Sequence, residues 1–330
     1  MQHVLEETMP SLRGIAFSPA TSMEITTASV LRDQLDDADT FVFVELADPS
    51  HDQLAELSQA LGDPELLRHP APASGHAAIT QVDSHVMLSA RRLELDIPTL
   101  QLSVSDLRVY VLPRALIIDH DGSFDSTELL RRFAAATKHR DEGVGYLLWI
   151  LIDELLAEMN TALETLDSEL DDVEDSLLAP GATPVPVQTR TYQLRKSTAG
   201  LRRCILPLRD GVDALLRREA ACISPNLYPL FQGLYDRAVH LAEWADSIRD
   251  LVTALSDTQI SMEGNRLNVI MKKVTSWAAI LAVPAAVTGF YGQNVPFPGA
   301  NSLGGFWSSA IIMVGGGIAL YATFKKKDWL

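Results

Sequence analysis

A polar tetrapeptide, Tyr291-Gly292-Gln293-Asn294, separates the only two stretches of the chain that are long and apolar enough to cross a bilayer. The side-chain amides of Gln293 and Asn294 each offer a carbonyl oxygen that can accept from water or face a cation. Neutral oxygens at the end of a membrane span bind a hydrated cation weakly enough to release it again. The placement therefore indicates an ion pathway, although a Gly-x-Asn sequence also suits a helix cap or a turn.

The two flanking stretches have the length that a membrane span requires. The first runs from about Val274 to Tyr291 and the second from about Phe306 to Phe324, and neither contains a charged residue. At 1.5 Å per residue, each nearly matches a hydrocarbon core of about 30 Å. Because both are long and uncharged, we predict two transmembrane helices rather than a buried hairpin in a soluble protein.

Basic residues are distributed unevenly around these spans. Arg266, Lys272 and Lys273 precede the first span, three lysines at 325–327 follow the second, and the connecting segment 293–305 contains no lysine or arginine. By the positive-inside rule, we expect both termini in the cytoplasm of the cell and the connecting loop outside. We interpret the lysines as topological, snorkelling residues rather than as ligand contacts.

The composition argues against several classes of protein. The chain has 27 Lys and Arg against 43 Asp and Glu, a formal net charge of −16 at pH 7, whereas nucleic-acid binding needs a basic surface. Cys204 and Cys222 lack metal-ligand spacing, and we expect them to be packing residues without a disulfide. Because we find no nucleophile motif, phosphate loop or cluster of metal ligands, we expect neither an enzyme nor a cofactor.

Short strand-forming runs and helical segments alternate in the first 145 residues and predict an α/β domain. Asp48-Pro49-Ser50 ends the first of these strands and can cap the helix that follows it. The predicted strands are 41–46, 78–82, 86–95, 107–112 and 115–118, the predicted helices are 53–61 and 127–136, and residues 119–122 form a predicted turn.

Beyond Gly145 the hydrophobic pattern becomes helical and stays so. An acidic helix to about residue 175 and a basic helix from about Thr189 to Arg218 suggest an antiparallel pair. The acidic face is either a solvated surface, which we favour, or a region that gathers divalent cations. A third helix from near Pro229 to Tyr291 enters the first span without a break, and its apolar positions require a bundle or an oligomer.

The tetrapeptide and its surroundings resemble the CorA family of divalent-cation channels and transporters, which includes ZntB-like zinc transporters. The family marker is Gly-Met-Asn after the first of two C-terminal spans, and this chain has Gly-Gln-Asn there. Residues 261–275 are similar to the helix-to-membrane junction of the family. Pro284, Gly289 and the lysine-rich end before Trp329-Leu330 also match, so the resemblance covers nearly the whole chain.

The resemblance implies a homopentamer in the lipid bilayer, with a cytoplasmic funnel and the first span of each subunit lining a central pore. Gly292, Gln293 and Asn294 would then form the selectivity filter, with five Asn294 amides as a ring of acceptors. Magnesium holds its first water shell tightly, so such a ring would bind the hydrated ion. The alternative for Asn294 is a purely structural turn residue.

Alignment to the family places Asn268, Met271 and Val274 near the cytoplasmic constriction, where Met and Val side chains can close a pore by dewetting. Thr275 belongs to the same expected gate region. It also begins a stripe of small residues that either packs helices closely or lines the pore, formed by Thr275, Ala278, Ala282, Ala285 and Gly289.

The chain departs from the family at three places. Gln293 replaces an apolar residue, either to satisfy loop backbone groups or to alter selectivity, and residues 295–301 contain no acidic side chain. On the stalk helix, Gly233 stands where relatives carry a regulatory carboxylate. Asp257 falls at a second such position, although it is equally well a solvated residue, and Asp236 is a further candidate. We therefore expect a weak or absent interfacial magnesium sensor.

Together these features predict an α+β membrane protein that transports divalent cations, most notably magnesium and otherwise cobalt or nickel. The alternatives are a ZntB-like zinc transporter and a transport-inactive, membrane-anchored scaffold or sensor. The predicted regions are a cytoplasmic α/β domain (1–145), an acidic and basic helical pair (146–228), a stalk helix (229–273), a first transmembrane helix (274–292), an external loop (293–305), a second transmembrane helix (306–324) and a cytoplasmic basic tail (325–330).

Overall fold

The computed structural model describes residues 12–18, 22–63, 66–67, 79–82, 85–179, 184–217, 223–293 and 302–330. The chain packs as two units, residues 1–253 and residues 254–330. The first unit combines a mixed sheet with long helices, and the second contains a pair of apolar helices. The fold class predicted from the sequence is confirmed in these parts: an α/β domain, a long helix and two C-terminal apolar helices.

A seven-stranded sheet forms the centre of the first unit. In spatial order it runs β2-β1-β3-β7-β6-β5-β4, and only the β3–β7 pair is parallel. Alternating apolar residues of β3 and β7, such as Val42, Val44 and Ile117, are fully buried in its core. The strands are β1 (Leu12–Phe17), β2 (Ser22–Ile25), β3 (Phe41–Ala47), β4 (Ile79–Val82), β5 (His85–Asp96), β6 (Gln101–Val111) and β7 (Ala115–His120).

Seven α-helices occur among the described residues, and local signals explain several of their boundaries. Ser50 caps α2 in a capping box with Gln53, as the sequence predicts, and buried leucines at helical spacing run along α4. The helices are α1 (Ala28–Asp36), α2 (His51–Ala60), α3 (Thr127–Ala135), α4 (Gly143–Leu178), α5 (Pro184–Arg217), α6 (Tyr228–Tyr291) and α7 (Leu303–Lys326).

The structure differs from the sequence-based expectation at several elements. Strands β1 and β2 and helix α1 were not predicted, and α5 begins at Pro184 rather than near Thr189, because a proline in the first turn costs no helical hydrogen bond. The turn predicted at residues 119–122 is partly wrong. Asp119 and His120 are the last residues of β7, and the His120 carbonyl accepts from the backbone amide of Asp48 at 2.8 Å.

The tip of the β5–β6 hairpin holds helix α5 against the sheet. Arg190 donates to the carbonyl of Pro98 at 2.7 Å, and the Ser197 hydroxyl donates to the carbonyl of Leu100. A Cβ atom at Gly200 would lie 2.9 Å from Cδ2 of Leu102, so the glycine permits close packing there. Arg190 also pairs with Glu169 of α4 at 2.6 Å, which joins the acidic helix to the basic one.

In the second unit, the last part of α6 and α7 form an antiparallel pair. Tyr291 Oη lies 3.4 Å from Ser308 Oγ at one end, and a Cβ atom at Gly316 would lie 3.0 Å from Cγ1 of Val283 farther along. In the most apolar 18-residue stretch of each helix, only 6% of the residues are buried within the chain. That exposure distinguishes these helices from the core helices of a soluble protein, which would be mostly buried.

We predict that Gly316→Leu destabilises this helix pair by about 1–3 kcal/mol, because a side chain at Gly316 must displace Val283. Gly317→Leu is the matched control, since a Cβ atom there meets no atom of the chain within 4 Å. The measurement is the thermal unfolding midpoint of each full-length variant in the same mild detergent. Equal midpoints for the two variants would contradict the close approach of α6 and α7.

Candidate functional site

The tetrapeptide begins where α6 ends. The Gly292 amide donates to the Thr288 carbonyl at 2.8 Å, and the Gln293 amide donates to the Phe290 carbonyl at 3.3 Å. A Cβ atom at Gly292 would lie only 2.8 Å from that Thr288 oxygen, so the tight helix end requires glycine. Gln293 is exposed, and Asn294 lies outside the residues that the structure describes. The filter assignment therefore stays a prediction.

The predicted gate residues occupy one stretch of α6 and are all exposed in the single chain. Met271 and Val274 are 62% and 59% exposed, and Asn268 and Thr275 are exposed as well. Spacings of three and four residues put Asn268, Met271 and Thr275 on one side of the helix. Exposed apolar side chains of this kind mark a surface that contacts another protein chain or lipid.

The two candidate regulatory aspartates are also exposed. Asp236 accepts a hydrogen bond from Gln232 at 3.1 Å, and Asp257 lies on the solvent-exposed surface of α6. Among the described residues, no group of three or more His, Cys, Asp or Glu side chains is arranged to hold a metal ion. A Cβ atom at Gly233 would meet no atom within 4 Å, so a longer side chain has room at this position.

Several carboxylates on the acidic helix α4 are engaged by arginines. Asp153 accepts from Arg132 of α3 and from Arg237 of α6, each at 2.6 Å, and so connects three helices. The indole of Trp149, one turn earlier, donates to the Leu230 carbonyl at 3.2 Å. Nothing in the sequence around Asp153 identifies its two arginine partners. These carboxylates contribute to structure.

An open groove of about 660 Å³ lies between α4 and the outer half of the β5–β6 hairpin. Arg92 pairs there with Glu158 at 3.1 Å, and Glu154 lies one helical turn before Glu158. Burial raises the pKa of Glu154, and the neighbouring Glu158 charge raises it further. Burial also raises the pKa of Glu158, against the opposing effect of Arg92.

The raised pKa of Glu154 predicts a stability that depends on pH. The folded state binds this proton more tightly than the unfolded state, so ionised Glu154 costs stability above its folded pKa, and the cost disappears as pH falls toward the unfolded pKa. Glu154→Gln should therefore raise the unfolding midpoint at pH 7.5 and have little effect near pH 4. Glu174→Gln, an exposed position on α4, is the control and should show no such trend. A lower midpoint for Glu154→Gln at pH 7.5 would refute this explanation.

Comparison with protein families gives a match over most of the chain. The model described as "CorA-like Mg2+ transporter protein" matches residues 38–326. The match includes most of the sheet, the α4–α5 pair, all of α6 and all of α7.

Two characterised relatives and one solved structure are also similar. The cobalt/magnesium transport protein CorA of Thermotoga maritima is 32% identical over 58% of this chain and 54% of its own length. The protein of the same name from Methanocaldococcus jannaschii is 25% identical over 88% of this chain and 91% of its own length. The complete structure of the Methanocaldococcus jannaschii CorA magnesium transporter superimposes with a TM-score of 0.74 at 21% identity, covering 96% of this chain and 98% of that one.

Proposed function

This chain belongs to the CorA family of transporter proteins, and we propose that it carries divalent cations, chiefly Mg²⁺, through a central pore in the inner membrane. The match over residues 38–326 carries the proposal, because it joins the sheet, the long helix and both apolar helices in one family pattern. Family members are channel-like transporters, so the chain is not an enzyme. The transported ion is its cargo rather than a cofactor.

The proposed filter consists of Gly292, Gln293 and Asn294 at the end of α6. The Gly292 turn fixes where the chain leaves the helix, and the next two residues carry amide oxygens. Five copies of Asn294 would offer neutral acceptors to the water shell of Mg²⁺, which the ion gives up reluctantly. A neutral ring holds the hydrated ion without the tight binding that carboxylates would add, so the ion can also leave.

The proposed gate lies at Asn268, Met271, Val274 and Thr275. The exposed Met271 and Val274 side chains of five subunits would form an apolar constriction that closes by expelling water. Asn268 and Thr275 would supply polar positions beside it. We further propose a homopentamer, because the exposed apolar side chains of α6 need partners that the single chain does not provide within its described residues.

We propose that both termini face the cytoplasm, since the lysines flank an uncharged connecting segment. The predicted regions, from the α/β domain at 1–145 to the basic tail at 325–330, describe this arrangement along the chain. Magnesium is the favoured cargo because the two similar proteins from Thermotoga and Methanocaldococcus are both named cobalt/magnesium transport proteins.

Flux measurements on protein reconstituted in liposomes test the proposed cargo. Mg²⁺, Co²⁺, Ni²⁺ and Zn²⁺ should be compared with and without a pH gradient. We expect Mg²⁺ flux without a requirement for the gradient. Zn²⁺ flux that depends on the gradient would favour a ZntB-like carrier, and an absence of flux for every ion would favour a membrane-anchored scaffold.

We predict that Asn294→Ala abolishes cation flux and leaves assembly intact, because it removes the ring of amide oxygens without changing the helical core. Gln293→Met is the matched variant and should reduce flux much less, since it restores the family residue. Liposome flux and the native mass of the assembly are the two measurements. Normal flux through the alanine variant would show that Asn294 is only a turn residue.

We also predict that millimolar Mg²⁺ causes little change in the protease protection of this protein, because Gly233 provides no carboxylate for an interfacial sensor. Gly233→Asp should introduce Mg²⁺-dependent protection, since the position has room for a side chain. Any residual sensitivity of the wild type should disappear in Asp257→Ala or Asp236→Ala. A strong Mg²⁺ response that survives both alanine variants would place the sensor elsewhere.

A further inference from the structure

Five lysines lie at the same end of the apolar helix pair. The Tyr291–Ser308 and Val283–Gly316 approaches define one antiparallel register, in which each step along α6 is matched by one step back along α7. The same register brings Lys272 and Lys273 of α6 level with Lys327 and Lys326 of α7. We refer to Lys272, Lys273, Lys325, Lys326 and Lys327 as the lysine cluster.

The lysine cluster is exposed, and none of its members forms an ion pair with a residue that the structure describes. Two of the ammonium groups lie over aromatic rings instead. Lys325 Nζ lies 5.9 Å from the centre of the Tyr321 ring, and Lys327 Nζ lies 5.9 Å from that of Trp329. Asp328 follows Lys327 in the chain but is in none of the ion pairs among the described residues, so five positive charges are gathered against one adjacent acidic side chain.

The end of the chain keeps Trp329 beside this cluster. The Trp329 amide donates to the Phe324 carbonyl at 3.0 Å, and its ring stacks on Phe324 with centroids 5.7 Å apart. Asp328 takes a left-handed backbone conformation, with φ of 52°, that turns the chain back. Tryptophan and lysine together are typical of the boundary between hydrocarbon and headgroups.

We propose that the lysine cluster binds the phosphate of anionic phospholipid headgroups. It lies where the uncharged parts of α6 and α7 end, so its ammonium groups are at headgroup level when the helices span a bilayer. Basic surfaces between transmembrane helices attract anionic lipids at this depth. The positive-inside rule accounts for lysines at this end of both helices, and the register adds that the charges from the two separate segments lie at one level.

The proposal concerns lipid binding and does not rest on the transported ion. Purified full-length protein in a neutral detergent should be titrated with short-chain phosphatidylglycerol, phosphatidylcholine and inorganic phosphate. Bound lipid is counted by native mass spectrometry, and the thermal unfolding midpoint is measured in parallel. We expect phosphatidylglycerol to bind and to raise the midpoint, with a much smaller effect of phosphatidylcholine and of inorganic phosphate.

Paired substitutions test both contributing helices. Lys272→Gln with Lys273→Gln, and separately Lys326→Gln with Lys327→Gln, should each weaken phosphatidylglycerol binding about tenfold. Lys138→Gln with Lys196→Gln removes two exposed charges outside the cluster and should leave binding unchanged. Lys326→Arg with Lys327→Arg keeps the charge and should retain binding.

Three results would overturn the proposal. The first is equal binding of phosphatidylglycerol and phosphatidylcholine, and the second is wild-type affinity in both paired glutamine variants. The third is inorganic phosphate that binds as tightly as phosphatidylglycerol, which would indicate a simple anion site. If a glutamine variant fails to fold, the wild type still provides the test. Its phosphatidylglycerol affinity should fall as salt rises from 0.05 to about 0.5 M, and an affinity that salt does not change would refute an electrostatic site.

Discussion

Inside the hydrocarbon of a bilayer no water is present to hydrogen-bond the backbone, so a chain segment there must pair its own amides and carbonyls. An α-helix does this within a single segment. Helix α6 meets this constraint, and its first residues belong to the first unit, where they contact α4. One uninterrupted helix therefore contains both the residues that contact α4 and the residues proposed for the gate, and the proposed filter follows its last residue in the chain. Everything proposed about transport depends on α6 remaining continuous.

The N-terminal part of α6 is attached to the first unit by polar contacts as well as by burial. Asp153 bridges Arg132 and Arg237, and Arg202 of α5 pairs with Asp246 at 2.7 Å. Asp153 is largely buried, so loss of either arginine would leave an incompletely compensated carboxylate, which is costly. The position of the N-terminal part of α6 relative to α3 and α4 is consequently specified by directional bonds.

Elements with strong local patterns were predictable from the sequence, and elements that depend on distant partners were not. Clear periodic or capping signals mark strand β3, the capping box of α2 and the buried leucines at helical spacing along α4. Strand β1 contains Gly14, a poor strand former, and besides the nearby β2 it pairs with β3 about thirty residues later, so its own short run does not identify it. Neighbouring segments likewise do not reveal Arg132 and Arg237 as partners of Asp153.

The candidate site also combines residues with a local explanation and residues that depend on distant partners. The requirement for Gly292 has a local explanation, because its tight backbone contact with Thr288 leaves no room for a Cβ atom. The gate role that we propose for Asn268, Met271, Val274 and Thr275 would arise only between copies of the chain, and one chain leaves them exposed. Their assignment therefore came from the family resemblance, while the sequence alone could predict only the helix and its exposed apolar positions.

Charge is also divided along the chain in a way that bears on the membrane. Residues 254–330 contain six basic and three acidic side chains, which gives a net charge of +3. Because the whole chain carries −16, residues 1–253 carry −19. An acidic body gains nothing from an anionic bilayer surface, and salt screens such effects beyond about 10 Å. Attraction to anionic lipid must then arise at short range, where the lysine cluster lies. The five lysines from which we infer the orientation of the helices are thus the same ones that we propose to bind anionic lipid.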